Sequence, residues 1–270
     1  MFGTTTLTAD WGEQLINSVA TQAITHLFSE SEAVSVSVGC FPAAKILQGK
    51  VDSFKMQGRG LVIRRQFPVT EMSFATDAVA IDLGAIFQGK LRLQQPTQAI
   101  AEITLSEAGI NQAFQAELVQ NRLRNILTPQ LAAISGEEPV SFTNVQIQLL
   151  PHNQVKLQAE VELPFHGLVP IKVITALAIE RRTRIQFTQA QWLGQDIPPA
   201  QQLISQRLTE AFVDLLNGMV DLDRFDLDGV VLKLNRLMTV GDQLVLSGYA
   251  EIRHFPVTGE QTPAWQPMAA

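Results

Sequence analysis

The sequence predicts an α+β fold in which a long curved antiparallel β-sheet wraps around long amphipathic helices. Three observations carry this reading. Three helical segments divide three blocks of strands. Within the blocks apolar and polar residues alternate with period two, which gives sheets one dry face and one wet face. Several runs, notably 171–192, are unusually long with few turn signals inside, and sheets of such strands twist and curl around whatever covers the dry face.

The first helix is expected to start near Asp10, where Asp10 and Glu13 can form a capping box. Its apolar residues Trp11, Leu15, Ile16, Val19, Ala23, Ile24, Leu27 and Phe28 sweep an arc wider than a surface helix needs, so it requires cover on more than one side. A second helix follows Thr104-Leu-Ser-Glu107, again a capping box. Ile110, Phe114 and Leu118 share one face of it, while Leu123, Ile126 and Leu127 lie nearly opposite. Either it breaks near residue 120 or it is enclosed on both sides, and Pro129 starts a new short helix. The third helix opens at Pro198-Pro199 and stops at Asn217-Gly218, with Leu208, Ala211, Phe212, Leu215, Leu216 and Met219 as a single stripe.

The strands read from Phe54-Lys-Met56, Val79-Ala-Ile81-Asp-Leu83, Val145-Gln-Ile147-Gln-Leu149, the run Val155 to Leu163, and Val231-Leu-Lys-Leu234. A short echo links Ile46-Leu-Gln-Gly-Lys50 to Ile86-Phe-Gln-Gly-Lys90, and the order helix, strands, helix, strands repeats once. No linker-like stretch divides the body. Residues 1–258 are therefore expected to form one domain of two loosely repeated halves, about 8–104 and 105–258, with 259–270 as a disordered tail.

Composition narrows the function classes. Charged residues make up 17% of the chain, against a usual share of about 25%, and 27 glutamines meet the need for surface polarity instead. A formal charge of −6 with three Trp and one Tyr argues against nucleic acid, which calls for a basic face or stacking aromatics. The single cysteine, Cys40, cannot form an intramolecular disulfide and reads as a small buried strand residue. The amino terminus lacks a cationic start and an apolar core, and no window is apolar enough to span a bilayer. The chain as given is expected to be soluble and cytoplasmic, with attachment to a membrane surface allowed.

Motifs with chemical content are missing. Gly84 to Lys90 has phosphate-loop spacing, but Leu91 stands where a magnesium-binding hydroxyl belongs, and the glycine reads as a turn between strands. Asp221, Asp223, Asp226 and Asp228 lack the ligand order and closing Glu of a calcium loop, so they read as an acidic turn. His26, His152, His166 and His254 show no metal-ligand spacing. The expectation is a non-enzyme without metal or cofactor. Two basic clusters remain, Arg59 with Arg64 and Arg65, and Arg181 and Arg182 with Arg184.

The run Val34 to Val38 followed by Pro42, the Ile46-Leu-Gln-Gly49 turn, Ile81-Asp-Leu83, Phe87-Gln-Gly89, Leu91-Arg-Leu93-Gln-Gln-Pro96, and Leu105-Ser-Glu107 with Ile110-Asn111 resemble the bacterial LmeA-like phospholipid-binding family. The resemblance is carried mainly by residues 27–120. It implies a TULIP-like domain (a tubular lipid-binding fold) with an apolar groove between sheet and helix, and it carries no catalytic motif. On that basis phospholipid or another long apolar ligand is expected to lie against Leu15, Val19, Ile110, Phe114, Leu118 and Phe212, with Arg64, Arg65, Arg181 and Arg182 near the head group. The rival reading is a scaffold whose enclosed helices are simply core and whose sheet edge recruits a protein partner. A third is a lipid hydrolase with a Ser or Asp within reach of a histidine.

Overall fold

A computed structural model describes residues 6–220, 222 and 229–254, with the side chains of 6–13, 15 and 43 outside that description. The acidic turn at Asp221 to Asp228 and the tail 259–270 fall outside the described residues, as do the side chains of Trp11 and Leu15.

Two antiparallel sheets organise the chain. The first contains β1 (Ala33–Gly39), β3 (Ser53–Ile63), β4 (Phe67–Thr76), β6 (Thr97–Ser106), β11 (Val230–Val240) and β12 (Gln243–Ile252), in the order β1-β3-β4-β6-β12-β11. The second contains β7 (Phe142–Leu150), β8 (Gln154–Leu163), β9 (Gly167–Glu180) and β10 (Arg184–Trp192), in the order β10-β9-β8-β7. The carboxy-terminal hairpin completes the sheet of the amino-terminal strands, because β12 pairs with β6 from Ile252↔Thr97 to Gln243↔Ser106. Neither sheet closes into a barrel.

Period-two alternation gives each sheet its dry face. In the first, register brings Val36, Met56, Phe74, Ala101, Gly248 and Leu234 to one face across all six strands. In the second, Phe142, Val161 and Val169 share a level, as do Ile147, Leu157 and Val173. The opposite faces carry Glu71, Gln98 and Glu102, and Gln148, Lys156 and Gln158. The long run 171–192 is a hairpin, turned at Arg181 and Arg182.

Helix α1 (Thr6–Thr25) covers the first dry face through Ile16, Ala20 and Ile24. It is tied to the edge strand by Asn17, whose Oδ1 accepts from Val38 N at 2.8 Å. It is already helical at Thr6, so Asp10 lies inside the helix and cannot cap it. Helix α6 (Gln202–Met219), entered through a 3₁₀ turn at Pro199–Gln201, covers the second sheet with Leu208, Ala211, Phe212 and Leu216. Asn217 anchors it, its amide giving and taking one hydrogen bond with the backbone of Phe187.

The expected long second helix is three short ones: α3 (Glu107–Phe114), α4 (Glu117–Leu123) and α5 (Pro129–Ser135). Apolar residues on opposite faces can meet one core only if the chain turns between them. Ala116 provides that turn in an extended conformation, and Gln120 Nε2 donates to the freed carbonyl of Phe114 at 2.8 Å. The cap of α3 is Ser106 rather than Thr104. Strand β6 continues through Thr104, and Ser106 Oγ accepts from Gly109 N. Glu107 instead accepts from Leu149 N at 2.8 Å, which leaves the expected capping box unformed.

Helix α3 joins the two sheets. Asn111 Nδ2 donates to Ile147 O at 2.9 Å and its Oδ1 accepts from Ile147 N at 2.7 Å, which closes the free edge of β7. Asn111→Ala orphans both backbone groups and is expected to cost about 2 kcal/mol in urea unfolding; a change under a few tenths would show that water replaces the amide.

Candidate functional site

The dry face of the first sheet passes from one core to the other without a polar break. Ile103 and Leu105 pack against both the core under α1 and the core under α6. Beside them Phe74, Val230 and Leu232 point to the same face and remain half-buried. Val19 of α1, a helix that packs over the edge strand β1, is half-buried against the same core. Ile110 and Phe114 of α3 continue the strip toward the second core, again half-buried.

Near one end of the strip lies a small apolar crevice with room for about one water molecule. Phe54, Thr76, Thr97 and Ile252 form its floor on the sheet, and Val79, Ile81, Leu91 and Leu93 form its roof. The roof is a cap built from the segments between strands. It comprises a 3₁₀ turn at Ala43–Gln48, β2 (Lys50–Val51) paired with β5 (Val79–Ala80), and α2 (Leu83–Phe87). Of the two glycines with phosphate-loop spacing, Gly84 lies inside α2, which Asp82 caps by accepting from Ala85 N, and Gly89 is the left-handed turn glycine between β5 and β6. Ile81 N donates to Gly49 O at 2.7 Å, and Gln94 Nε2 donates to Ile81 O at 3.0 Å. Asp52 receives Lys45 Nζ at 2.7 Å and Phe41 N at 2.6 Å, and these two partners hold its carboxyl below the usual carboxylate range.

The expected ligand residues scatter over this framework. Val19 belongs to the α1 core, whereas Ile110 and Phe114 pack against the α6 core. Leu118 is exposed on α4. Phe212 is fully buried, with its ring centroid 4.9 Å from that of Phe142.

The arginines sit on two distant hairpin turns. Arg64 and Arg65 turn β3 into β4, and Arg181 and Arg182 turn β9 into β10, each with positive φ. Arg182 donates to Asn235 Oδ1 at 2.5 Å and lies 5.8 Å from the ring of Tyr249. Tyr249 is level with Ile100 and Ala75, while Arg65 lies beyond Phe67 on the same strand β4. Eight residues at about 3.3 Å each separate those levels by about 26 Å, so the two pairs do not share one head group.

Cys40 is buried with its Sγ 3.4 Å from Lys50 O. His26 Nδ1 lies 2.6 Å from Gln22 O, His152 and His166 are exposed on hairpin turns, and His254 lies against Gly229. No metal-binding group of His, Cys, Asp and Glu exists among the described residues. Among them, too, no helix is long and apolar enough to cross a membrane.

Phe41, Leu47 and Phe87 were missed by reasoning from the sequence. They are large apolar residues, yet the structure leaves them among the most exposed side chains of the protein. The available signal was the echo, whose second residue is apolar in both copies.

No significant match exists among curated proteins or solved structures. The model of one family, described as LmeA-like phospholipid-binding, matches residues 7–249 and so extends through both sheets, well past the residues 27–120 that first carried the resemblance. The half-open apolar strip thus lies within the matched region, and the chain belongs to the LmeA-like phospholipid-binding family.

Proposed function

We propose that the protein is a non-catalytic phospholipid carrier, with the acyl chain lying along the strip from the capped crevice past Phe74, Ile103 and Leu105 toward Ile110 and Phe114. The observation that supports this is the half-burial of apolar side chains on what is otherwise the dry face of the sheet. Apolar surface left partly wet on a core face is stabilised by an apolar guest, at about 0.8 kcal/mol per buried CH₂ before ordering costs. The crevice has room for about one water molecule and is far below the usual ligand-pocket range of roughly 300–1,000 Å³. Uptake on this reading widens the gap between α1 and the strip. On this reading Val19 and Phe74, both half-buried against the first core, would touch the acyl chain, Leu118 is peripheral, and Phe212 is wall in the second core.

Native mass spectrometry of gently purified protein, followed by titration with a monomeric short-chain phospholipid, tests the reading. One bound lipid per chain is expected. Phe74→Ala and Ile103→Ser are expected to weaken uptake about tenfold each, equivalent to about 1.4 kcal/mol. A clean apo mass together with no uptake would overturn the proposal and favour a scaffold with no ligand site.

A further inference from the structure

The two copies of the echo fold alike on the cap. Ile46 and Ile86 are buried, Gly49 and Gly89 take left-handed conformations with φ of 71° and 73°, and the residue after each isoleucine points outward. Those outward residues, Leu47 and Phe87, are 81% and 74% exposed, and Phe41, two residues past the end of β1 on the same cap, is 85% exposed. Single exposed apolar residues are ordinary, but three large ones among the few residues of one small cap call for a partner. Around them Lys50, Lys90 and Arg92 are exposed and make no ion pair among the described residues. The carboxylates there are Asp52, paired with Lys45, Asp82, which caps α2, and Asp77, so four cations (with Lys45) face three anions. The cap region therefore carries a cationic excess on a chain whose formal charge is −6.

We propose that this cap is the membrane-docking surface of the protein, with Phe41, Leu47 and Phe87 entering the interface of a bilayer that displays anionic phospholipid. The chemistry is that of interfacial attachment, in which apolar side chains reach below the head groups while lysine and arginine stay at their level. The same cap roofs the apolar crevice, so docking brings the crevice close to the lipid surface. This step alone rests on the carrier reading; attachment to vesicles stands without it.

Flotation of the full chain with phosphatidylcholine vesicles, with and without phosphatidylglycerol, tests the inference. Binding is expected only with the anionic lipid and is expected to fall as salt rises. Combined Phe41→Ser, Leu47→Ser and Phe87→Ser is expected to lower binding at least tenfold with the melting temperature unchanged, since all three side chains are already wet. Combined Lys50→Glu, Lys90→Glu and Arg92→Glu is expected to abolish the preference for phosphatidylglycerol. Titration with the short-chain phospholipid is expected to be unaffected by either set. Vesicle binding by the serine variant at the wild-type level overturns the inference, as does a wild-type chain that takes up short-chain lipid but ignores vesicles. A dimer that the serine substitutions dissolve also overturns it, because a second copy would then cover the patch. Vesicle binding without short-chain uptake supports docking and removes the carrier reading instead.

Discussion

Phe212→Ala is expected to lower the unfolding free energy by about 3–5 kcal/mol, the range for emptying a buried aromatic site. Phe212 and Phe142 are both fully buried, with ring centroids 4.9 Å apart and planes tilted by 33°. The pair joins α6 to the first strand of the second sheet, so its loss opens a void between two rigid elements that cannot collapse freely. A domain with a typical stability of roughly 5–15 kcal/mol loses a large fraction of it. Phe212→Leu keeps most of the volume and is expected to cost below about 1.5 kcal/mol. Denaturant titration of both variants, with lipid uptake measured below their midpoints, separates two roles. If Phe212 is wall, the folded alanine variant takes up short-chain phospholipid as the wild type does. If uptake falls before stability does, the ring touches the ligand.

The alternation of residues made the sheets readable from sequence, because a one-residue slip would turn Val155, Leu157 and Val161 from the dry face to the wet one. The stripe of α6 was readable for the same reason, since Leu208, Phe212 and Leu216 meet one sheet only at helical spacing. What failed was the extent and capping of helices at their ends. Thr104 and Asp10 have the side chains of caps, but strand pairing to β12 held Thr104 extended, and α1 is already helical a turn before Asp10. The apolar pattern around Ile110 to Leu127 was correct in content, yet it could not show that Ala116 turns the chain between the two faces. The site was least legible. Half-burial at Phe74, Ile103 and Leu105 depends on where α1 stops covering the sheet, and exposure at Leu47 and Phe87 depends on which side of a short turn faces out. Neither property is a function of residue type.

The two copies of the echo offer a controlled comparison, because Gly49 and Gly89 have nearly the same φ and very different surroundings. Replacing either with alanine forces an L residue into the left-handed region, at about 1–2 kcal/mol. At Gly89 nothing lies within 4 Å of an added Cβ, so Gly89→Ala is expected to cost little beyond that strain. At Gly49 the added Cβ would lie 2.3 Å from the carbonyl oxygen of Ile81, a backbone atom that also accepts from Gln94. That contact must be relieved by moving β5 away from the 3₁₀ turn, and the move stretches the 2.7 Å hydrogen bond from Ile81 N to Gly49 O. Gly49→Ala is therefore expected to destabilise by about 3 kcal/mol, strain and displaced backbone together, and to raise hydrogen exchange at the Ile81 amide. Equal stability of the two variants would mean that the cap is not held through this contact. Because Ile81 and Leu93 roof the crevice and Leu47 and Phe87 belong to the same cap, the Gly49 variant is expected to lose vesicle binding as well, and the Gly89 variant to retain more of it. The same close backbone approach then orders both the roof of the crevice and the side chains proposed to dock on lipid.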